Sequence, residues 1–318
     1  MQNNQDQNSE AQPAKNIFIV NSDSDGQRID NFLLKKLKEA SKSNIYKLLR
    51  KGQIRVNGKR TKPIYRVLTD DVVRIPPFMI PDEKGELFIS DNLLNQIRES
   101  IVFENKNFVV INKPSGVAVH SGTGVRVGLI EICKKIFVDV DIQLAHRLDK
   151  ETSGCVVLTK NRDSLNDFNA QSKEDTLIKK YSALVQGVIK NDFIVELALD
   201  TSARQNGERT VEVCETGKWA KTKFTISEFY QGKIPATLLQ CQLFSGRTHQ
   251  IRVHTSASNC PIAGDQRYGN GKFNKKLRDL GLKRLFLHAA SIQFKDGEED
   301  IIVNAELPNK LQNVLEKL

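Results

Sequence analysis

The sequence predicts an α+β protein of two domains, a small basic module followed by a larger domain with a mixed, largely antiparallel sheet. Three observations carry this. Apolar runs of strand length recur from Ile101 to Val303, and helical spacings fall between them irregularly rather than in strict alternation. A chain of 318 residues is long enough for one large domain or two of ordinary size. The formal charge of +10 is also confined to one block. Between Gly26 and Pro77 stand fourteen Lys and Arg against four acids, and the remaining 34 bases and 34 acids cancel. A field that local suits a polyanionic partner.

Composition narrows the class. A hydrophobic content of 39% with 27% charged residues is that of a soluble globular chain. No run approaches the roughly 20 apolar residues of a membrane helix. Residues 1–20 begin MQNNQDQNSEAQPAKN, without the apolar core of a signal peptide or anchor, and are expected as a disordered tail. Five cysteines, widely spaced and without a C-x-x-C, fit a reducing cytoplasm with no disulfide and no zinc. Cys155 and Cys241 fall in apolar runs and read as core.

The basic module, residues 21–78, has a legible plan. Ile29, Phe32, Leu33 and Leu37 fall at helical spacing, and Ile45, Leu48 and Leu49 repeat it on a second helix. Ser41 and Ser43 stand where an N-cap is wanted, and Gly52 where that helix must stop. Gln53 to Val56 alternates as a strand, Asn57-Gly58 is a two-residue hairpin signal, and Val72 to Ile75 is another strand. Pro76, Pro77 and Pro81 close the module. Residues 79–99 turn mixed and acidic and are expected as a linker, with one helical turn between Leu93 and Ile97.

The second domain, residues 100–318, opens on two strands, Ile101 to Phe103 and Phe108 to Ile111. Lys113-Pro114-Ser115-Gly116 stops the second one sharply. Helical spacing follows from Leu129 to Phe137, then a buried strand from Cys155 to Leu158 and a helix from Leu165 to Gln171. Further strands are expected at Lys180 to Val185, Phe193 to Leu197, Lys221 to Ile226 and Thr237 to Leu243. Two more fall at Leu285 to Ala290 and Ile301 to Val303, with a last helix from Asn309 to Leu318. There is no internal repeat.

The chemistry concentrates in four segments. His146-Arg147-Leu148-Asp149 leads through a Thr152-Ser153-Gly154 turn into the buried strand. An isolated R-x-D more often pins a loop than holds a substrate. Here it is accompanied by Lys179-Lys180-Tyr181, by Gly246-Arg247-Thr248-His249-Gln250-Ile251-Arg252-Val253-His254, and by Leu287-His288-Ala289. Metal binding fits poorly, because His249 and His254 are not at the i, i+4 spacing and Arg247 and Arg252 would oppose a cation. No second acidic motif suits a glycosidase, and no serine sits in a nucleophile elbow. The glycines between 116 and 128 lack the lysine and hydroxyl of a P-loop.

Gln27 to Leu33, continued by Arg55-Val56-Asn57-Gly58-Lys59, resembles an S4 domain, an RNA-binding module. The resemblance implies that the second helix and the turn after it face RNA, with Lys42, Lys47, Arg50 and Lys51 on phosphates. Such contacts position RNA without reading its sequence. The four segments of the second domain together resemble the pseudouridine synthases of the RluA type. His146 to Asp149 with Thr152 to Gly154 matches the motif around that family's catalytic aspartate. Lys113 to Gly116 matches its first motif, Tyr181 its active-site tyrosine, and Gly246 to Arg252 its third motif. Through Asn57 to Pro77 and Lys283 to His288 the chain looks closest to members acting on bacterial 23S ribosomal RNA.

That resemblance implies isomerisation of uridine without redox change, hence no cofactor and no metal. It makes Asp149 the ionised carboxylate that attacks C1′ of the ribose or removes a ribose proton, and pairs Arg252 with it. Tyr181 would stack on the uracil or assist proton removal at C5. Arg147 would fill the space of an extruded base or hold its phosphate, and Lys113 and Arg247 join it in substrate binding. The expected partner is 23S ribosomal RNA, bound by a cytoplasmic monomer with no membrane attachment and no nucleotide cofactor. His249, His254 and His288 stay outside the catalytic set.

Overall fold

Two units make up the chain, Met1–Phe88 and Ile89–Leu318. A computed structural model describes residues 16–77 and 89–318, apart from 38, 39, 41, 123, 124, 126, 175, 201–203, 206 and 207. Residues 1–15 of the expected tail, 79–88 of the expected linker, and the Ser41 cap lie outside the described residues.

In the first unit the apolar periodicity becomes helices α1 (Ile29–Lys36) and α2 (Lys42–Arg50). Their inward residues Ile29, Phe32, Leu33, Ile45, Leu48 and Leu49 pack with Ile54, Val67, Val73 and Ile75 into one core. The sheet beneath runs β1-β4-β2-β3, where β1 is Ile17–Ile19, β2 Arg55–Val56, β3 Lys59–Arg60 and β4 Val72–Arg74. The expected tail therefore ends before Ile17, because Ile17–Ile19 pair antiparallel with Val72–Arg74. Gly52 ends α2 at φ +67, and the N–H of Gln53 reaches back to the Leu48 carbonyl, a left-handed C-terminal cap. Asn57 and Gly58 both have positive φ and join β2 to β3 in register Val56 to Lys59, as a type I′ turn requires.

Two carboxylates are buried in this small core, and each is fully engaged. Asp30 accepts from Arg28 Nε and Nη2 at 3.1 and 2.8 Å and from Tyr46 Oη at 2.6 Å. Asp71 accepts from Asn57 Nδ2 at 2.7 Å, Tyr65 Oη at 2.9 Å and the Leu68 N–H at 2.9 Å. Burial would push both carboxyls up, but these bonds hold them below the ordinary carboxylate range. Arg28 is thus spent on the fold. Lys42, Lys47, Arg50 and Lys51 remain exposed on α2 and just after it.

The second unit begins with α3 (Asp91–Glu99), capped by the Ser90 hydroxyl accepting from the Leu93 N–H. Ile97 is fully buried in the core of this unit, so the expected linker gives way to a packed helix from Asp91. The apolar spacing of Leu93, Leu94 and Ile97 is what the burial needs. Next come β5 (Ile101–Glu104), β6 (Phe108–Lys113), α4 (Leu129–Ile136), β7 (Gln143–Leu144), β8 (Ser153–Thr159) and α5 (Arg162–Lys173). They are followed by β9 (Ile178–Gln186), β10 (Phe193–Asp200), the short β11 (Arg204–Gln205) and β12 (Glu208–Arg209), and β13 (Glu212–Val213). Then come β14 (Lys218–Tyr230), β15 (Ala236–Leu243), α6 (Gln250–Ala257) and α7 (Gly271–Asp279). The chain closes with β16 (Leu287–Asp296), β17 (Glu299–Asn304) and α8 (Asn309–Leu315).

The main sheet runs β13-β10-β14-β15-β9-β16-β8-β6-β5, with β17 against β16 and β7 against β8. Among the described residues its one parallel pair is β16 with β8, so the sheet is mixed and largely antiparallel. The centre is buried on both faces, which explains why its strands read as unbroken apolar runs. Val109, Ile111, Val156 and Leu158 face the core shared with α3 and α4, while Phe108, Val110, Cys155 and Val157 face a second core. There Phe168 of α5 lies 6.4 Å from Phe108 and 5.5 Å from Phe294, a three-ring contact that fixes α5 on the sheet. Among the described residues no helix is long and apolar enough to cross a membrane.

Candidate active site

The loop carrying His146 to Asp149 is held from both ends. Before it, β7 pairs with β8, and His146 Nε2 accepts the Val157 N–H at 3.1 Å while its ring stacks on Phe168. Burial pulls this imidazole down to about 3, so it is neutral and structural. After the loop, the Thr152 N–H closes a turn onto the Asp149 carbonyl, and β8 enters the sheet beside β16 with Ser153 opposite His288 and Gly154 opposite Ala289. Gly154 has φ +109, and a Cβ there would lie 2.2 Å from the Ala289 carbonyl oxygen, so only glycine fits.

A buried relay locks that junction. Arg284 Nη2 donates to Ser153 Oγ at 2.8 Å, Ser153 Oγ is 2.9 Å from His288 Nδ1, and His288 Nε2 is 3.0 Å from the Ala305 carbonyl. The carbonyl can only accept, so His288 carries its proton on Nε2 and its Nδ1 accepts from Ser153. Both ring nitrogens of His288 are thus engaged within the fold.

The third motif opens α6. Gln250 is buried and uses both ends of its amide: Nε2 donates to the Lys221 carbonyl and Thr222 Oγ1 at 3.0 Å each, and Oε1 accepts from Ser245 Oγ at 2.8 Å and the Arg247 N–H at 3.0 Å. This pins the Gly246 to His249 turn to β14. His249 itself caps α6 in the left-handed region, with φ 54.

These supports bring Arg147, Asp149, Tyr181, Arg247, His249 and Arg252 to one cleft. Tyr181 comes from β9, opposite Cys241 on β15, and the start of strand β16 lies between β9 and β8. Burial pushes its phenol above the ordinary range, and the neighbouring Asp149 charge adds to that. The Asp149 side chain is 21% exposed, and among the described residues no hydrogen bond reaches its carboxylate. Its nearest charged or chargeable partner is His249, with Nε2 at 3.7 Å from Oδ2. Arg147 is exposed and, among the described residues, makes no hydrogen bond or ion pair. Arg247 donates through Nε to the Trp219 carbonyl at 3.1 Å.

Two expectations change here. Arg252 does not pair with Asp149; its Nε and Nη2 grip Asp265 at 2.7 and 2.8 Å, and both side chains are nearly inaccessible. Bidentate geometry to a buried carboxylate outcompetes a half-exposed one. Burial works against the Arg252 charge, but Asp265 holds its pKa above the ordinary value, and Asp149 adds to that through space. Lys113 is also not at a substrate surface. It is fully buried and donates to the carbonyls of Pro114, Val117 and Lys150 at 3.0, 2.8 and 3.2 Å. Burial pulls its pKa down to about 7, with Arg284 adding to the drop. Three carbonyls match the three protons of an ammonium, so Lys113 ties its own loop to the loop after Asp149.

Asp265 and Tyr268 were not singled out by the sequence, and Gln250 was read only as part of the third motif, without a role of its own. Asp265 accepts the Arg267 and Tyr268 N–H groups at 2.8 and 3.0 Å as well as Arg252, and Tyr268 lies 2.9 Å from His249 Nδ1. The signal for Asp265 was a carboxylate placed just after the Gly264 turn that follows the apolar Ile262-Ala263.

Comparison with known proteins identifies the family and the fold. A family model described as RNA pseudouridylate synthase matches residues 107–257, and an S4 domain model matches residues 27–73. Ribosomal large subunit pseudouridine synthase C of Haemophilus influenzae is 43% identical over 309 residues, covering 95% of this chain and 94% of that protein. The protein of the same name from Escherichia coli is 40% identical, covering 96% of this chain and 97% of its own. Among solved structures, human RNA Pseudouridylate Synthase Domain Containing 4 superposes with a TM-score of 0.57 at 26% identity, over 71% of this chain and 95% of that one. Likeness of this extent, over an α+β fold with the motifs in order, places the chain in the pseudouridine synthase family of RNA-modifying isomerases, with an S4 domain at its N-terminus.

Proposed function

We propose that this protein isomerises specific uridines of large-subunit (23S) ribosomal RNA to pseudouridine, with Asp149 as the catalytic carboxylate. The observation that carries the assignment is that carboxylate itself, open to the cleft, free of hydrogen bonds from the described residues, and flanked by cations. The chemistry breaks the bond from uracil N1 to ribose C1′, turns the base, joins C5 to C1′ and moves the C5 proton, so nothing is oxidised or added. Asp149 engages the ribose, either by attack at C1′ or by removing a ribose proton; both need the ionised form. Arg252, held by Asp265, adds positive charge to the cleft without touching Asp149. Tyr181 forms the apolar wall against which the uracil lies.

A uridine in folded RNA reaches Asp149 only after leaving its stack. Arg147, exposed at the cleft and unpaired among the described residues, has the planar cation suited to hold the extruded nucleotide's phosphate or fill its place. Lys42, Lys47, Arg50 and Lys51 of the S4 domain contact phosphates and bring the RNA to the catalytic unit. The names of the relatives support ribosomal RNA as substrate. The test is pseudouridine mapping of ribosomal RNA from cells lacking the gene, complemented with wild type or Asp149→Asn. Loss of particular sites, restored by wild type alone, is expected. A full map with Asp149→Asn would end the proposal.

A further inference from the structure

Next to the catalytic cleft lies a second, larger concavity, lined by Arg147, Lys173, Lys179, Trp219, Phe244 and Arg247 among others. It shares Arg147, Tyr181, Leu243, Gly246 and Arg247 with the cleft, so the two are continuous. Among the described residues no carboxylate lines it, and the nearest to its aromatic edge is Glu196, which is bonded to Trp219. Its wall therefore suits a polyanion and directs that polyanion toward Asp149.

Trp219 is the single tryptophan of the chain, yet it is 45% exposed. It stands on β14 between the exposed Lys218 and the buried Ala220. Its ring is not loose. The indole Nε1 donates to Glu196 Oε1 at 2.6 Å, and the other oxygen of Glu196 is 3.2 Å from Lys221 Nζ. Lys221 in turn lies 6.0 Å over the Phe244 ring. The Trp219 carbonyl accepts from Arg247, so the strand bearing the indole is tied to the motif that opens α6. An exposed indole held in one orientation by Glu196, at the edge of a groove whose described lining includes four cations, has the features of a base-stacking platform.

We propose that Trp219 stacks on an unpaired base adjacent to the target uridine, in a groove that holds the flanking RNA strand. The inference rests on the pseudouridine synthase reading and deepens it. Extruding a uridine costs its neighbour a stacking partner, and an aromatic platform one nucleotide away offsets that cost. Every base has a π-face, so the contact demands an unpaired neighbour rather than a particular sequence.

Because Trp219 is the sole tryptophan, fluorescence excited at the red edge, where tyrosine does not absorb, reports on this site alone. The full-length chain carrying Asp149→Asn is titrated with a uridine-containing single strand of about eight nucleotides and with a duplex of equal length, within the usual span of one such groove. Saturable quenching by the single strand and little by the duplex is expected. In the otherwise wild-type chain, Trp219→Ala should lower kcat/KM for pseudouridine formation by about tenfold, mainly through KM, and Trp219→Phe should recover most of it. Absence of quenching, or a Trp219→Ala protein with unchanged kcat/KM, overturns the proposal. Failure of the catalytic reading looks different, since Asp149→Asn would then turn over normally whatever the fluorescence does.

Discussion

His249 Nε2 stands 3.7 Å from the Asp149 carboxylate, and His249 Nδ1 stands 2.9 Å from Tyr268 Oη. Tyr268 Oη already accepts the Val211 N–H at 3.0 Å, so its own proton is best placed on Nδ1. That leaves the remaining imidazole proton on Nε2, facing Asp149. Burial lowers the His249 pKa below 6.5, and Arg252 and Arg147 lower it further while Asp149 and Asp265 oppose them. The ring therefore takes up its second proton only below the ordinary histidine range, and as an imidazolium it would pair with Asp149.

His249→Asn tests this, since asparagine tolerates the left-handed backbone but withdraws the ring. The kcat should fall about tenfold, the equivalent of one modest hydrogen bond, with RNA affinity unchanged. The acid limb of the pH–rate profile should move to lower pH, because no imidazolium forms to occupy Asp149. An unmoved limb would reduce His249 to a helix cap.

Arg252 and Asp265 form a buried ion pair, and breaking it from one side leaves an uncompensated charge. Asp265→Ala should cost roughly 3–5 kcal/mol of stability, read from the denaturation midpoint. Replacing both partners, Arg252→Met with Asp265→Leu, should restore most of that stability without restoring activity. Normal turnover in the double variant would show that Arg252 gives Asp149 no electrostatic support.

Which parts of this were legible beforehand follows from the physics of each signal. The central strands were plain because Phe108 to Ile111 and Cys155 to Leu158 are apolar on both faces, which only a doubly covered strand needs. Helix α7 was not, since Phe273 and Leu277 are its only buried apolar residues and three lysines surround them. Asp149, Tyr181 and the motif from Gly246 to Arg252 were found as residues, and the cleft brings them together. Their partners were not found. Nothing in a linear sequence distinguishes Asp265 from Asp149 as the acceptor for Arg252, because burial decides it. Lys113 is the same lesson reversed: a lysine before proline reads as a surface cation until three carbonyls are seen to converge on it.

The S4 domain should act through charge rather than shape. Lys47 and Arg50 are exposed and lie three apart on α2, on one face of that helix. Replacing both with alanine should weaken binding to a ribosomal RNA fragment and reduce the slope of log K against log salt by about 1.5, the loss of two phosphate contacts. An unchanged slope would remove these two residues from the RNA interface.

His254 gives the stability an acid sensitivity that can be removed. It lies on α6 with no exposed surface, and neither ring nitrogen has a hydrogen-bond partner among the described residues. Burial pulls its pKa from 6.5 down to about 4. The unfolded chain therefore binds a proton between those values that the folded chain refuses, and stability falls as pH drops through that window. Above 6.5 neither state is protonated and the group contributes no slope. From pH 7 to pH 5 the loss through this residue should be about 2 kcal/mol. His254→Leu, similar in size and apolar, should lose about that much less stability over the same interval, measured as the difference in denaturant midpoints. His146, pulled down to about 3, keeps its own acid sensitivity in the variant, so the slope should shrink without vanishing. Equal slopes in variant and wild type would mean that water reaches the ring and that its burial is not maintained in solution.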